Sequence, residues 1–446
     1  PAGWLRTGTV LNPDFIARHG ERAMFVSAVQ SGEASPGLAG AFKAPVELAK
    51  AVYGNFAAIG DIFTNSNSWQ EFLRSGGAQS SIFGIEDYLG KQNIWDLNKE
   101  SGNFISQSWN YMKSPLEAMA HVSDNMARLA EFKRAGAVGG DLNARIEAGF
   151  RAREVTLDYM RAGAQVKALS SFVPFMNIGI QGIDRMVRGW KEDKIGFTAR
   201  AAAALTVPTL LNWAANRNDS RYQDAPNWEK DLYWIIPTNK WEPAANIQDA
   251  MARPNDLRRQ AADGTWEVNN GTTLRISKPF ELGLLFASVP ERLLNRFADH
   301  DPRAAGELLS TLLHGAIPNV LPTALTPLLE QGTNRNFFTG RPVVSSHVEG
   351  MLPEYQYNEY TSTVAKQLGK IIGYVPGLRD IGPKDAKLAS PQVIDNYIHD
   401  WSGTLGQYAL QIVEKTEQGL GIVDKHNPPS STLADIPVIK AFIARH

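Results

Sequence analysis

Apolar residues recur along this chain mostly at helical spacing. Leu48, Val52, Phe56 and Ile59 mark an amphipathic helix within Ala41 to Phe63, and Asn65-Ser66-Asn67-Ser68 follows as a cap or loop. Ser114-Pro115-Leu116-Glu117 has the form of an N-cap, a first-position proline and an acidic third residue. It predicts a helix from there to about Ala135, with Met119, Val122, Met126 and Leu129 on its apolar stripe. Beyond Gly136 to Gly140, a second helix is expected from Asp141 to about Leu169, carrying Ile146, Phe150, Val155, Leu157 and Met160. The two would form an antiparallel pair. Phe172-Val173-Pro174-Phe175 breaks the run. Ile180, Ile183, Met186, Val187 and Trp190 then mark a third helix, with Asp184, Arg185, Arg188 and Lys191 on its other face. Further helices are expected at Phe280 to Phe297, Ala304 to Leu313 and Thr361 to Ile372, the last closed by Gly373. Pro391 to Leu420 reads as two pieces flanking Ser402-Gly403-Thr404-Leu405-Gly406.

One split motif departs from this pattern. Trp228-Glu229-Lys230-Asp231-Leu232-Tyr233-Trp234-Ile235-Ile236-Pro237 is answered by Leu274-Arg275-Ile276-Ser277-Lys278-Pro279-Phe280-Glu281-Leu282-Gly283 across a polar, Gly-containing insertion. Two β-prone runs so placed predict a hairpin of about 230–237 with 273–278, its register set by the alternation of Leu232, Trp234 and Ile236. The expected fold is therefore mainly α: a multi-helix bundle with one small β-hairpin and a Pro-punctuated C-terminal helical region. We divide it into an N-terminal irregular and helical region 1–113, a central bundle 114–225, the hairpin with its inserted loop 226–283, and a C-terminal helical region 284–446. Pro1 is not an initiator and Ile436 to His446 stops inside an apolar element, so the whole reads as a segment of a larger polypeptide.

Two stretches are apolar enough to weigh as membrane spans. Phe197 to Ala215 is interrupted by Arg200, Pro208 and Asn212, whereas a bilayer span needs roughly 20 uninterrupted apolar residues. A buried helix kinked at Pro208 is expected instead. Leu308 to Leu329 carries His314, Pro318, Pro322 and Pro327, which suggests helical turns joined by extended breaks; it could be a lipid-seeking wedge, the duller expectation being packing against a partner helix.

Composition adds mainly exclusions. A chain of 446 residues with 43% hydrophobic and 20% charged positions suits a folded protein, and a formal net charge of −1 gives no global field that would gather nucleic acid. With no cysteine, disulfides, thiolate catalysis and Cys-ligated metal sites are excluded. Neither Gly90-Lys91 nor Gly369-Lys370 has the upstream glycine of a phosphate-cradling loop, and no Gly-x-Ser-x-Gly elbow exists. The histidines are dispersed, so His121, His314 and His399 are read as solvated or hydrogen-bonded rather than as metal ligands. Glu100-Ser101-Gly102-Asn103-Phe104 resembles the start of the lytic transglycosylase signature, in which a glutamate is general acid and then base. The continuation Ile105-Ser106-Gln107-Ser108-Trp109 departs from that signature, so Glu100 is read as a surface helix end. Arg185, Arg188, Lys191 and Lys194 could line a phosphate track, but Asp184, Glu192 and Asp193 among them favour a solvated face. Arg335, Phe337, Phe338 and Arg341 could stack on bases, the duller expectation being aromatics packed inward and arginines exposed. No catalytic, cofactor-binding or metal-binding residue is assigned, and no cofactor or small-molecule substrate is expected.

Taken together, several stretches resemble the large polyvalent protein-associated domains of very long proteins from bacteriophages and related mobile elements. They are Leu11-Asn12-Pro13-Asp14-Phe15, Arg153-Glu154-Val155-Thr156-Leu157-Asp158, Pro174-Phe175-Met176-Asn177, Gln181-Gly182-Ile183-Asp184-Arg185 and the split motif. The order continues through Leu321-Pro322-Thr323, Asn336-Phe337-Phe338-Thr339-Gly340-Arg341-Pro342, Tyr360-Thr361-Ser362 and Ser402 to Gly406. The resemblance implies a non-enzymatic structural segment of an internal virion or DNA-ejection protein. Such a segment would be packaged in the capsid and delivered to the host envelope or cell with the genome. Its expected partners are copies of itself, other ejection or core proteins, portal or tail, phage DNA and the host envelope. The alternative is a helical accessory domain of a virion-packaged RNA polymerase or murein hydrolase, or an intracellular nucleic-acid-binding effector.

Overall fold

Helix ends show why the chain folds locally as it does. In the computed structural model, Asp141 accepts from Ala144 N at 2.7 Å, Asp193 from Gly196 N at 3.0 Å and Ser362 from Ala365 N at 3.1 Å, each a side-chain cap on the helix that follows. The structure describes residues 11–31, 33–78, 104–136, 138–157, 176–238, 240–252, 256–269, 271–298, 325–337, 340–419, 421, 436 and 438–445. It is mainly α, and its contacts divide the chain into two compact units. One holds 13–161, 178–318 and 432–446; the other holds 1–12, 162–177 and 319–431.

The larger unit is built from α1 (Pro13–Gln30), α2 (Gly37–Phe63), α3 (Asn67–Arg74), α4 (Phe104–Arg134), α5 (Leu142–Glu154), α6 (Met176–Glu192), α7 (Lys194–Ala201), α8 (Val207–Asn216), α9 (Asn227–Leu232) and α10 (Val289–Ala298). Its centre is α4, where Val122, Met126, Leu129 and Phe132 meet Ile62, Trp69, Phe72 and Ala152. Phe72 lies edge-on to Phe132 with ring centres 5.7 Å apart. The helix begins at Phe104, ahead of the expected Ser114 cap, and carries Pro115 inside it. A proline there removes one N–H donor, which weakens but does not end a helix whose later turns are anchored in the core. Helix α5 starts at the expected cap but stops at Glu154, and the remainder expected to 169 lies largely outside the described residues. So do Ala304 to Leu313 and most of Leu308 to Leu329.

The apolar run from Phe197 is a helix broken by a π turn, α7 passing through Ala202–Thr206 into α8. A second π turn, Leu284–Ser288, splits the expected helix Phe280 to Phe297 ahead of α10. Pro208 and Pro290 follow these two turns and bring no N–H to their helices. Thr206 Oγ1 donates to the Phe286 carbonyl at 2.6 Å, so one π turn supplies a donor to a carbonyl that Pro290, four residues on, cannot serve. Thr206→Val should cost ~1 kcal/mol, read as a lowered urea midpoint. Arg200, the charge inside the apolar run, is buried and donates to Val29 O and Asp193 Oδ2, both at 3.1 Å. Among the described residues no helix is long and apolar enough to cross a membrane.

The hairpin forms as expected. β1 (Tyr233–Pro237) runs antiparallel to β5 (Thr272–Ser277) with Trp234 opposite Ile276 and Ile236 opposite Leu274. Alternation does not set its faces, because Tyr233, Trp234 and Ile235 are all buried and the strand is covered on both sides. The motif's first half, 227–232, is helix α9. Two further features exceed the expected hairpin. β6 (Ile443–Arg445) adds to the edge of β5, with Ala444 opposite Thr273, and the inserted loop holds a second sheet in the order β2 (Glu242–Ala244), β4 (Trp266–Asn269), β3 (Leu257–Gln260).

In the smaller unit, α11 (Thr326–Thr333), α12 (Thr363–Gly373) and α13 (Pro391–Gly419) surround a core of Val344, Val348, Ala386, Val393 and Tyr397. Gly403, at φ 63° and ψ −160°, breaks α13 into the two pieces read from the sequence.

Candidate interaction surface

The charged residues of the split motif are turned inward. Arg292 of α10 donates Nε to Asp231 Oδ1 and Nη2 to Oδ2, both at 3.0 Å, and the two side chains are 3% and 4% exposed. Lys278, as deeply buried, reaches Glu291 at 2.5 Å and the Lys230 carbonyl at 2.6 Å, while Tyr222 donates to the same glutamate. Arg275 pairs with buried Glu229. These contacts lock α9 and both motif halves onto α10. Such buried pairs add little over apolar residues of the same size, but losing one partner of a pair is costly.

Other motif residues meet them in space. Arg22 donates to the Lys278 carbonyl at 3.2 Å and stacks over the Phe280 ring at 4.3 Å. A Cβ on Gly182 would lie 2.5 Å from the Glu281 carboxylate, so a larger residue there would make that side chain shift. Arg128, wholly buried, donates to Thr156 Oγ1 at 2.9 Å and Leu157 O at 2.7 Å, which holds the end of the Arg153-to-Leu157 stretch. Burial pushes the Glu21 carboxyl up, against the Ser277 N–H that donates to it at 3.0 Å.

Burial also pushes the Glu281 carboxyl up to about 7 from an ordinary 4.5, against its own backbone N–H and Arg22. The folded state then holds a proton that the unfolded chain releases at about 4.5, so stability from this group is full below that pH and is lost as the pH rises towards 7. The span corresponds to at most about 3 kcal/mol. Glu281→Gln should therefore be more stable than the parent above about pH 7 and gain nothing near 4.5, as urea midpoints at the two ends will report.

What the helices turn outward is apolar. On α2, Ala44, Glu47, Ala51, Asn55 and Ala58 are buried, while Phe42 is 87% and Tyr53 77% exposed, with Leu38, Val46, Phe56 and Phe63 beside them. Phe56, expected on the apolar stripe of a packed helix, faces out. The same inversion recurs on α5, where Ala148, Gly149 and Ala152 are inside and Ile146 and Phe150 outside. On α6, Gly182, Arg185 and Gly189 are inside, and Ile180, Val187 and Trp190 outside. On α10, Glu291 and Arg292 are inside, with Leu293 and the 72% exposed Phe297 outside. Leaving the six side chains of α2 alone in water forfeits on the order of 10 kcal/mol of burial, which marks these faces as interaction surfaces.

An apolar cleft of about 580 Å³ opens among α1, α2 and α4, walled by Met24, Phe25, Phe56, Ile59, Phe63 and Met126. Glu21 and Ser123 are the polar residues on its wall. The cleft suits an apolar guest and offers no constellation for acid–base chemistry.

The residues singled out in the sequence do not converge on a site. Arg185 is buried, donating to the Glu154 and Gln30 carbonyls, and burial lowers its pKa. Arg188 pairs with Glu154 at 2.5 Å and Asp184 at 2.9 Å, while Lys194 sits 5.2 Å over the Trp190 ring, so no free phosphate track runs along α6. In the Asn336 loop, Phe337 is exposed together with Arg335 and Arg341, unlike the inward aromatics expected; its N–H donates to Glu330 at 2.7 Å. His121 is buried and His399 exposed beside Asp400. Glu100, His314, Phe338 and Leu321-Pro322-Thr323 lie outside the described residues. Among the described residues, no group of three or more acidic or histidine side chains could hold a metal ion.

A family model described as large polyvalent protein associated domain 38 matches residues 219–439. The match takes in the split motif, its ion pairs and the smaller unit's helices. No curated protein and no solved structure matches the chain.

Proposed function

We propose, from the premise that residues 219–439 belong to the large polyvalent protein associated domain 38 family of phage-associated polyvalent proteins, that this chain is a non-enzymatic structural segment of an internal virion protein. It travels in the capsid, enters the host envelope or cell with the genome, and builds part of a helical assembly with its own copies or with other ejection proteins. The observation that supports this reading is the inversion of the helices. Charged and small residues fill much of the inner faces of α5, α6 and α10, while Ile146, Phe150, Val187, Trp190, Leu293 and Phe297 face out. On α6 they are rimmed by exposed Asp184 beside Arg188 and Lys191, a mixed-sign border that complements a protein surface of the same kind. Rings or tubes should follow as the chain is concentrated. Sedimentation of the purified chain is the test: species that grow with concentration support assembly, and a strict monomer at every concentration argues against it.

A further inference from the structure

We propose that the outward stripe of α2 docks on an anionic lipid bilayer, lying in the interface rather than spanning it. Leu38, Phe42, Val46, Tyr53, Phe56 and Phe63 fall within an arc of roughly 100° at 3.6 residues per turn and extend over roughly 38 Å at 1.5 Å per residue. Exposed Lys43 and Lys50 border this arc. Of the helix's two acids, Glu47 is buried between Arg134 and Lys50, the latter at 3.2 Å, and Asp61, partly exposed, pairs with Lys133 at 2.5 Å. With Lys43, Lys50, Lys133 and Arg134 against Glu47 and Asp61, the margin of the apolar stripe is net positive, unlike the mixed-sign border of α6. That combination complements negatively charged headgroups over an acyl layer. The aromatic rings of Phe42, Tyr53 and Phe56 suit the boundary between the two. Phe56 and Phe63 also line the 580 Å³ cleft, so the stripe runs into an apolar recess.

Flotation of the full chain with vesicles tests this docking. The chain should rise with phosphatidylcholine vesicles containing phosphatidylglycerol and far less with phosphatidylcholine alone. The exposed triple change Phe42→Ser, Tyr53→Ser and Phe56→Ser should weaken binding by on the order of a hundredfold with an unchanged melting temperature. Lys43→Glu with Lys50→Gln should weaken it by on the order of tenfold, on anionic vesicles only. Docking is overturned if the parent chain stays at the bottom of the gradient, or if the folded triple variant floats as well as the parent. It is also overturned if, without lipid, the parent is a dimer that the triple variant dissolves, because the stripe is then covered by a second copy. Assembly through α6 and α10 is read separately by sedimentation, so either idea can fail alone.

Discussion

Arg292→Ala should destabilise the larger unit by about 3–5 kcal/mol, since it takes away the guanidinium that holds the buried Asp231 carboxylate. Asp231 is 4% exposed and takes two hydrogen bonds from this one guanidinium, which also donates to the Asn227 carbonyl at 3.0 Å. Domains of this kind hold about 5–15 kcal/mol in all, so the loss is about a fifth of the total or more. The urea midpoint, followed by tryptophan fluorescence, should fall by about 1–2 M. Replacing both partners by apolar residues, Asp231→Leu with Arg292→Met, should recover most of it, because no charge is then left unpaired. The exposed pair of Arg151 with Glu147 provides the contrast: Glu147→Ala should change stability by less than about 0.5 kcal/mol. A midpoint for Arg292→Ala equal to that of Glu147→Ala would show that the inward charges do not hold the motif together.

The second large effect has the opposite character, a loss of association without a loss of fold. Val187→Ser, Trp190→Ser and Phe297→Ser together remove large apolar groups that the folded chain leaves in water. The fold should survive with a loss of about 2–4 kcal/mol, since Phe297 is 72% exposed while Val187 and Trp190, 39% and 42% exposed, give up part of their burial and the contact of Lys194 with the Trp190 ring. Association should weaken by several orders of magnitude, because aromatic anchors at the centre of an interface carry most of its energy. Sedimentation and a thermal melt on one sample separate the two effects. A variant that fails to fold would place these residues in the core; one that associates unchanged would place the contact elsewhere.

Hydrophobic period located α2, α4, α5 and α6 from the sequence; on α2 and α6 it named residues that pack on the core, Leu48, Ile59 and Met186, together with ones that face out, Phe56, Val187 and Trp190, and on α5 it pointed to the outer face with Ile146 and Phe150. Period reports where apolar residues cluster, and it equals the core only when apolar groups are what the helix buries. Here Ala51 and Gly149 are buried because close helix approach needs small side chains, Asn55 because it donates to Ser27 and the Ala51 carbonyl, and Arg185 because carbonyls await it inside. A signal was present in the run Ala44, Ala51, Ala58 at seven-residue spacing, the small-residue stripe of a tightly packed helix. The hairpin was legible because Trp234, Ile235 and Ile276 are strongly β-prone. The second sheet was not, since Leu257-Arg258-Arg259-Gln260 is polar and mostly exposed. β6 was equally hidden, as its partner Thr273 lies far away in sequence. The inward charges of Asp231 and Lys278 gave no sign of burial in the sequence. Their partners come from α10, and only the fold brings them together.

Peptide mass spectrometry of purified virions, before and after genome ejection, bears most directly on the central claim. Peptides of this chain should be present in full particles and depleted once the genome has left, as for a structural segment carried in the capsid and delivered with the DNA. Their absence from full particles would contradict a virion role, and their retention in emptied ones would contradict delivery.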